Sequence, residues 1–235
     1  MHQPLMKELK SYVKLLNNQP QVVIAAGSDP DLWPDITAYP IDTKWIGVDR
    51  GTYYLWQKGI QPTLGVGDFD SLNKSELSQL EQVVANMHYA KPEKDDTDTQ
   101  LALALALEKY PTSRVQLIGT TGGRLDHFLS NLWLPLEPRF QPYLRQISLA
   151  DKQNTIHYYQ PGSYQVEKER DKKYLGFICL TPVEALTIQD AKYTLNRYTA
   201  NYPISFASNE FVGEEVHFSF SSGIVAVIQS KDNKK

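Results

Sequence analysis

The sequence contains a single cysteine among 235 residues, so no disulfide bond can form within the chain. This residue, Cys179, lies in the apolar run 175–180, which favours a buried, inert thiol and a reducing, cytoplasmic setting. The longest apolar runs, such as 101–107 and 224–228, are far shorter than the roughly 20 residues that cross a bilayer. Lysine and arginine number 24 against 27 acidic residues, which is not the charge excess of a nucleic-acid-binding protein. The absences predict a soluble protein without a membrane or nucleic-acid partner.

Several common catalytic signatures are also missing from the chain. It has no G-x-x-x-x-G-K-[ST] loop, no G-x-G-x-x-G fingerprint and no G-x-S-x-G elbow. One cysteine cannot build a zinc cluster. The sequence therefore excludes the P-loop, the standard dinucleotide-binding and the serine-hydrolase classes.

The first half of the chain alternates short apolar runs with helical patterns. Buried strands are predicted over 22–26, 45–48, 64–66 and 115–118, which is the rhythm of βαβ units around a mostly parallel sheet. Before them, Leu5, Leu9, Val13 and Leu16 fall on one stripe and predict a docking helix.

The pattern changes near residue 148. Short runs rich in β-branched and aromatic residues predict an antiparallel β region, with strands over 155–159, 164–167, 174–180, 185–188 and 216–220. In the last of these, Val216, Phe218 and Phe220 should point inward and His217 outward. Prolines between 135 and 142 place the boundary between the two halves within 137–147.

Polar and glycine residues follow each predicted strand of the first half. The segments concerned are 27–29, 49–51, 67–71 and 119–123. Because ligands of open α/β sheets bind beyond the carboxyl ends of the strands, the four loops should converge on one pocket.

Acidic residues cluster in two segments, 68–70 and 95–98. Asp68 and Asp70 are two apart after a strand, so in an extended segment they would share one side. Asp98 should begin a helix capped by Thr97 and Gln100. Acidic residues at a helix start commonly just complement the helix dipole, and for Asp95 that explanation suffices. Asp68, Asp70 and Asp98 together have the oxygen-rich composition that suits Mg²⁺.

A second helix should open after Gly122-Gly123. Its apolar residues recur at helical spacing and predict the buried face, namely Leu125, Phe128, Leu129, Leu132 and Trp133. Glycines before a helix let its N–H groups approach a phosphate, and Arg124 could pair with phosphate oxygens. His127, taken alone, is best explained by a structural role, whereas Arg124, Asp126 and His127 together beside Gly-Gly are explained equally well by a nucleotide contact. The residues by themselves thus predict metal-assisted chemistry on a nucleotide or phosphate ester.

Taken in order, these segments resemble the thiamine pyrophosphokinase family. The matching motifs are D-x-G at 49–51, G-D-x-D-S at 67–71, K-D-x-T-D at 94–98, G-x-x-G-G-R-x-D-H at 119–127 and S-N-E at 208–210. Ser28 stands where many members have a second glycine. The resemblance implies an α/β fold with a Rossmann-like ATP-binding domain over 1–145 and a β-sandwich thiamine-binding domain over 146–235.

The implied activity is transfer of the pyrophosphoryl group of ATP to the hydroxyl group of thiamine, giving thiamine diphosphate and AMP. The resemblance implies that Asp68, Asp70 and Asp98 hold Mg²⁺ and, with Asp126, form the catalytic group. It assigns the nucleotide to Asp49, Arg50, Gly51, Lys94, Thr120, Arg124 and His127, and thiamine to Asp98, Ser208 and Asn209. It also implies a homodimer in which each thiamine site is shared between subunits.

Thiamine is cationic, so aromatic faces should meet it, and Trp33, Tyr53, Tyr54, Phe206 and Phe211 are candidates that core packing would explain equally well. Two other functions stay open from the sequence. The strand followed by Asp68 and Asp70 partly resembles a Mg²⁺-dependent phosphohydrolase with an aspartyl nucleophile. The same fold could also serve a thiamine or nucleotide sensor without turnover.

Overall fold

The computed structural model describes residues 21–90 and 96–233. The predicted helix at Leu5–Leu16 and the predicted nucleotide contact Lys94 lie outside these residues. The first half has strands β1 (Val22–Ala25), β2 (Lys44–Val48), β3 (Leu64–Gly67), β4 (Met87–Tyr89) and β5 (Val115–Ile118), with helices α1 (Arg50–Gln57), α2 (Lys74–Val83), α3 (Asp98–Lys109) and α4 (Leu125–Trp133). Short 3-10 helices span Pro30–Leu32, Ile36–Ala38, Leu134–Leu136 and Gln141–Gln146.

The second half is built from strands. These are β6 (Ile147–Ala150), β7 (Asn154–Tyr159), β8 (Gly162–Glu167), β9 (Tyr174–Cys179), β10 (Val183–Ile188), β11 (Leu195–Ala200), β12 (Ile204–Glu210), β13 (Glu215–Phe220) and β14 (Val225–Ser230). The strands predicted from the sequence agree with them to within two residues at either end.

One sheet runs through both halves of the molecule. Its order is β12-β9-β14-β7-β6-β5-β1-β2-β3-β4, and the portion from β6 to β4 is entirely parallel. Strand β7 joins β6 antiparallel and continues the sheet into the second half. The smaller sheet, β11-β10-β13-β8, packs on this extension around a core of its own. The predicted α/β fold with a parallel sheet and a β-sandwich is confirmed, while the boundary at 145/146 stays a prediction.

The chain order reverses beside β1. Strand β2 lies on one side of β1 and β5 on the other, so the loops that follow β1 and β5 diverge and leave a crevice at their carboxyl ends. The strands here are short, β-branched and buried on both faces, as a parallel sheet covered by helices requires. The candidate site is built along this edge.

Several local predictions are confirmed. Helix α3 begins at Asp98, and Thr97 and Gln100 form the predicted capping box. Val216, Phe218 and Phe220 are buried in the sandwich core. Burial raises the pKa of Cys179 to about 11, as an inert thiol requires. No helix within residues 21–90 and 96–233 is long and apolar enough to span a membrane.

The predicted buried face of α4 is wrong in part, since Phe128 and Leu132 are half-buried and the other three residues are exposed. Leu125 is 76% exposed and Trp133 51% exposed, whereas the polar Asn131 is buried. The helix has nine residues and is flanked by loops, so only part of its apolar stripe meets the sheet. Periodicity identified the stripe, but it could not show which neighbour covers it.

Candidate functional site

Three carboxylates come together at the carboxyl edge of the parallel sheet. Asp49 follows β2, Asp68 follows β3, and Asp98 is the first residue of α3. One carboxylate oxygen from each lies within 4.8 Å of the other two. Loops from neighbouring strands and the start of a helix therefore supply one cluster of hard oxygen donors.

Asp49 reaches this cluster through an unusual backbone. Its φ of 46° and ψ of −123° are rare for a residue with a side chain. Its N–H donates to the carbonyl of Val66 at 2.9 Å, and its Oδ1 accepts from the N–H of Phe69 at 3.2 Å. Gly67 has a φ of 144°, and a Cβ there would lie 1.8 Å from Asp49 Oδ1. The glycine of the G-D-x-D-S motif thus makes room for the carboxylate of Asp49.

The cluster is electrostatically suited to a cation. The pKa of Asp49 is raised to about 7. Burial is the largest cause, the negative charge of Asp98 is the next, and the negative charge of Asp68 raises the pKa further. Three carboxylates this close repel one another, and a bound divalent cation would relieve that repulsion. An all-oxygen donor set is typical of Mg²⁺ sites, which use one or two carboxylates together with water and phosphate oxygens.

The structure places Asp70 differently from the sequence analysis. Phe69 is buried with a φ of 58°, so the segment 68–70 turns where an extended strand was expected. The N–H of Asp70 donates to Asp68 Oδ1 at 3.0 Å. The extended conformation expected for 68–70 is wrong because of this turn, and Asp49 is the third member of the cluster. A metal role for Asp70 stays a prediction.

Two residues assigned to the nucleotide have structural contacts. The guanidinium of Arg50 donates to the carbonyl of Ser71 and lies 3.4 Å from Glu76, so it braces the loop that carries Asp68. A Cβ on Gly51 would lie 2.1 Å from the carbonyl oxygen of Ala25, so glycine is needed for α1 to pack on β1. Contact of either residue with a nucleotide stays a prediction.

The loop after β5 presents charged side chains to solvent. Arg124 forms a two-pronged contact with Asp126, at 3.2 Å from Nε to Oδ1 and 2.5 Å from Nη2 to Oδ2. Both side chains and His127 are exposed. The guanidinium could therefore exchange its carboxylate partner for a phosphate group at little desolvation cost.

A cavity of about 500 Å³ opens beside the same loop. Its walls are the glycine-rich turn at Gly122 and Gly123 and the loop 151–154 after β6. Its lining also includes the apolar side chains of Phe128, Ile156 and Ile228. An apolar lining with a few polar groups is typical of small-molecule pockets.

Unpaired polar atoms border the crevice between β1 and β5. Among residues 21–90 and 96–233, the buried Ser28 Oγ, Trp33 Nε1 and Thr120 Oγ1 have no hydrogen-bond partner. Buried donors without partners are costly and usually mark a place where water or a ligand completes the bonding. The sequence analysis named Trp33 only as an aromatic candidate, and a donor role has no signal in the sequence.

Asn209 has structural contacts within the sandwich, and its contact with thiamine stays a prediction. Its side chain is 3% exposed. Its Oδ1 accepts from the N–H groups of Tyr193 and Glu210, and its Nδ2 donates to the carbonyl of Tyr193 at 2.7 Å. The amide thus joins two segments of the sandwich through three hydrogen bonds. The neighbouring Ser208 is exposed at a bulge with a φ of 60° and stays a predicted contact.

The aromatic candidates for a thiamine contact differ in how far they are packed in the core. Trp33 is buried, and Phe206 and Phe211 pack against the sandwich core. Tyr54 meets Trp33 edge to face at 6.2 Å. Core packing therefore explains Trp33, Phe206 and Phe211.

Comparison with known proteins covers both halves of the chain. The model of the thiamin pyrophosphokinase catalytic domain matches residues 41–144, and that of the vitamin B1 binding domain of thiamin pyrophosphokinase matches residues 163–225. A thiamine pyrophosphokinase from Bacillus subtilis is 41% identical over 212 residues, covering 89% of this chain and 98% of that protein. A crystal structure of a thiamin pyrophosphokinase family protein from Enterococcus faecalis is 51% identical with a TM-score of 0.87, covering 91% of this chain and 100% of that one. Yeast thiamin pyrophosphokinase, at 13% identity and a TM-score of 0.70 over 91% of this chain and 86% of its own, shares the fold.

Proposed function

This chain belongs to the thiamin pyrophosphokinase family and has its activity, and we propose that Asp49, Asp68 and Asp98 form its magnesium site. The reaction transfers the pyrophosphoryl group of ATP to the hydroxyl group of thiamine, giving thiamine diphosphate and AMP. The observation that supports the site is the meeting of three carboxylate oxygens within 4.8 Å.

The proposed roles follow from the chemistry of phosphoryl transfer, which needs positioning and neutralisation of charge more than covalent catalysis. Bound Mg²⁺ would neutralise negative charge on the phosphate oxygens. Asp49, Asp68 and Asp98 hold and orient it, and Arg124 leaves Asp126 to pair with a phosphate group. No cysteine or histidine nucleophile is required.

We place the nucleoside of ATP in the cavity beside the glycine-rich turn. The apolar part of its lining at Phe128 and Ile156 suits a heteroaromatic base. Strand β5, which leads to the cavity, is two strands from β2, which leads to Asp49. Two strand spacings are about 10 Å, a distance that a triphosphate chain can span.

We further propose that two copies of the chain associate through α4. The thiamine site would then lie between Ser208 of one copy and the α/β half of the other. We place this dimer in the cytoplasm. The support is the apolar surface that α4 leaves open at Leu125, Leu129 and Trp133. Apolar side chains clustered on one exposed helix face are typical of an association surface.

The magnesium site is tested by single Asp→Asn substitutions at Asp49, Asp68 and Asp98. Each variant should lose more than about 100-fold in Mg²⁺-dependent formation of thiamine diphosphate, because a carboxylate ligand is removed. Products are identified by chromatography and mass, with ATP, Mg²⁺ and thiamine omitted in turn. Near-normal turnover in any of the three variants would remove that residue from the site, and Asp70→Asn tests the remaining prediction.

The same assay separates the alternative functions. Phosphate released from ATP without thiamine would indicate the phosphohydrolase, and thiamine binding without turnover would indicate the sensor. The wild-type protein should show neither behaviour, and AMP should form only when thiamine is present.

The association surface is tested by Leu129→Arg. We expect this variant to shift from dimer to monomer in light scattering after size-exclusion chromatography, because a charge would be buried between copies. Ile41→Arg is the matched control, since Ile41 is fully exposed elsewhere on the surface. A dimeric Leu129→Arg protein would contradict the α4 interface.

A further inference from the structure

A short segment between two 3-10 helices contacts the start of α3. Arg139 lies in this segment and forms a bidentate salt bridge with Asp96, a fork in which both nitrogen–oxygen distances are 2.7 Å. Its guanidinium also lies 4.6 Å from the ring centre of Phe140, a residue of the main core. A two-pronged contact anchored next to the core fixes direction as well as distance.

Glu137 extends this contact to the other side of the helix start. Its Oε2 accepts from Arg139 Nε at 2.9 Å, and its Oε1 accepts from Gln100 Nε2 at 2.5 Å. Gln100 is the capping-box partner of Thr97. Residues on both sides of the N-cap are therefore held by one unit, which we call the Glu137–Arg139 bracket.

The bracket matters because it holds the backbone next to Asp98. Asp98 comes directly after the N-cap Thr97 and contributes one of the three clustered carboxylates. When all three carboxylates are ionised, Asp49 and Asp68 repel Asp98, and a helix start free to move would relax away from them. The position of the Asp98 carboxylate thus depends on contacts that oppose this repulsion.

We propose that Glu137 and Arg139 are positioning residues that hold Asp98 in place for the divalent cation. The inference rests on the magnesium site proposed above. Asp96 occupies the variable position of the K-D-x-T-D motif, so the motif itself assigns no role to the residue that Arg139 grips. Glu137 and Arg139 touch neither substrate nor cation; they act through Asp96, Gln100 and the first turn of α3.

The test measures cation binding without turnover. Mn²⁺ is titrated into wild-type protein and variants with a non-hydrolysable ATP analogue present, and free Mn²⁺ is followed by electron paramagnetic resonance. Arg139→Gln should raise the dissociation constant of Mn²⁺ about tenfold. Replacing a residue that orients a metal ligand usually weakens metal binding by about this factor. Arg139→Lys should restore part of the affinity, because lysine keeps the charge and loses the fork.

Lys109→Gln is the matched control. It removes one positive charge at the other end of the same helix, where Lys109 lies over the ring of Tyr110. Its Mn²⁺ affinity should equal that of the wild type. If Arg139→Gln fails to fold, Asp96→Asn removes the same fork from its other side and should show the same loss.

Two results would overturn the bracket. One is an unchanged Mn²⁺ affinity in Arg139→Gln, whether or not its melting temperature falls. The other is an equal loss of affinity in Lys109→Gln. Wild-type protein that binds no Mn²⁺ would overturn the metal site and the bracket together. Wild-type protein that binds Mn²⁺ but makes no thiamine diphosphate would count against the proposed reaction and not against the bracket.

Discussion

Asp49 shows how a single backbone conformation can determine the composition of a site. Its left-handed φ turns the side chain back toward the loop after β3, and the missing side chain of Gly67 leaves the space that the carboxylate occupies. A conformation of this kind costs on the order of 1–3 kcal/mol and persists only where the surroundings enforce it. Strain at Asp49 is therefore consistent with selection for the position of its carboxylate.

Gly67→Ala should disrupt both stability and cation binding. The new Cβ would lie 1.8 Å from Asp49 Oδ1, at a φ that disfavours alanine. We expect a loss of about 2 kcal/mol in the free energy of unfolding, measured by urea denaturation, and weaker Mn²⁺ binding. Gly213→Ala is the control, because a Cβ there meets no atom within 4 Å. Normal Mn²⁺ affinity in Gly67→Ala would show that Asp49 does not need this space.

His157 should make stability depend on pH. Burial, with Arg145 and Arg114 nearby, lowers its pKa to about 4 from the ordinary 6.5. The unfolded chain therefore binds a proton at His157 at a higher pH than the folded protein does. The contribution of His157 to the free energy of unfolding is complete above pH 6.5 and is lost as the pH falls toward 4. The loss attributable to this residue is on the order of 2 kcal/mol.

The measurement compares urea denaturation of wild type and His157→Gln at pH 7 and pH 5. The variant should lose less stability over this interval than the wild type. His88→Gln, on the exposed part of β4, should behave like the wild type. An identical loss in His157→Gln and the wild type would contradict the effect.

At the level of elements, local chemistry was predictable and tertiary placement was not. Thr97 and Gln100 predicted the start of α3 because a capping box is complete within four residues. The exposed Leu125 was mispredicted because the covering of a helix face depends on partners distant in sequence. Asp49 was assigned to the nucleotide by resemblance, which stays a prediction, and a D-x-G turn gives no signal of the left-handed residue that brings its carboxylate into the cluster. Of the site, the motifs gave Asp68 and Asp98 as neighbours, and the fold supplied the third carboxylate.

The side chain of Asn209 should stabilise the bulge in β12. Its amide joins the bulge in β12 to the backbone of Tyr193, whose ring is 58% exposed. Asn209→Ala would leave backbone groups of Tyr193 unpaired and should cost about 2 kcal/mol in the free energy of unfolding. The KM for thiamine should rise as well if the bulge presents Ser208. Asn201→Ala, at an exposed bend, is the control, and equal stabilities in urea would refute the joining role.

At the scale of the whole molecule, the two halves share one sheet. Strand β6 pairs with β5 on one side and with β7 on the other, so no break in hydrogen bonding separates the parallel portion from the sandwich. We expect a single calorimetric transition, and Val227→Ala in the sandwich should lower the melting temperature of the entire protein. Two resolved transitions, with only one shifted by the substitution, would contradict this coupling.

The outermost strands of the large sheet have a consequence for behaviour at high concentration. In the described part of the chain these are β4, which has three residues, and β12, whose pairing with β9 is interrupted by a bulge at Ser208. A short edge and a twisted edge are poor templates for an incoming strand. The large sheet should therefore resist fibril growth by edge-to-edge pairing, and any specific association of copies through this sheet must be built from side chains.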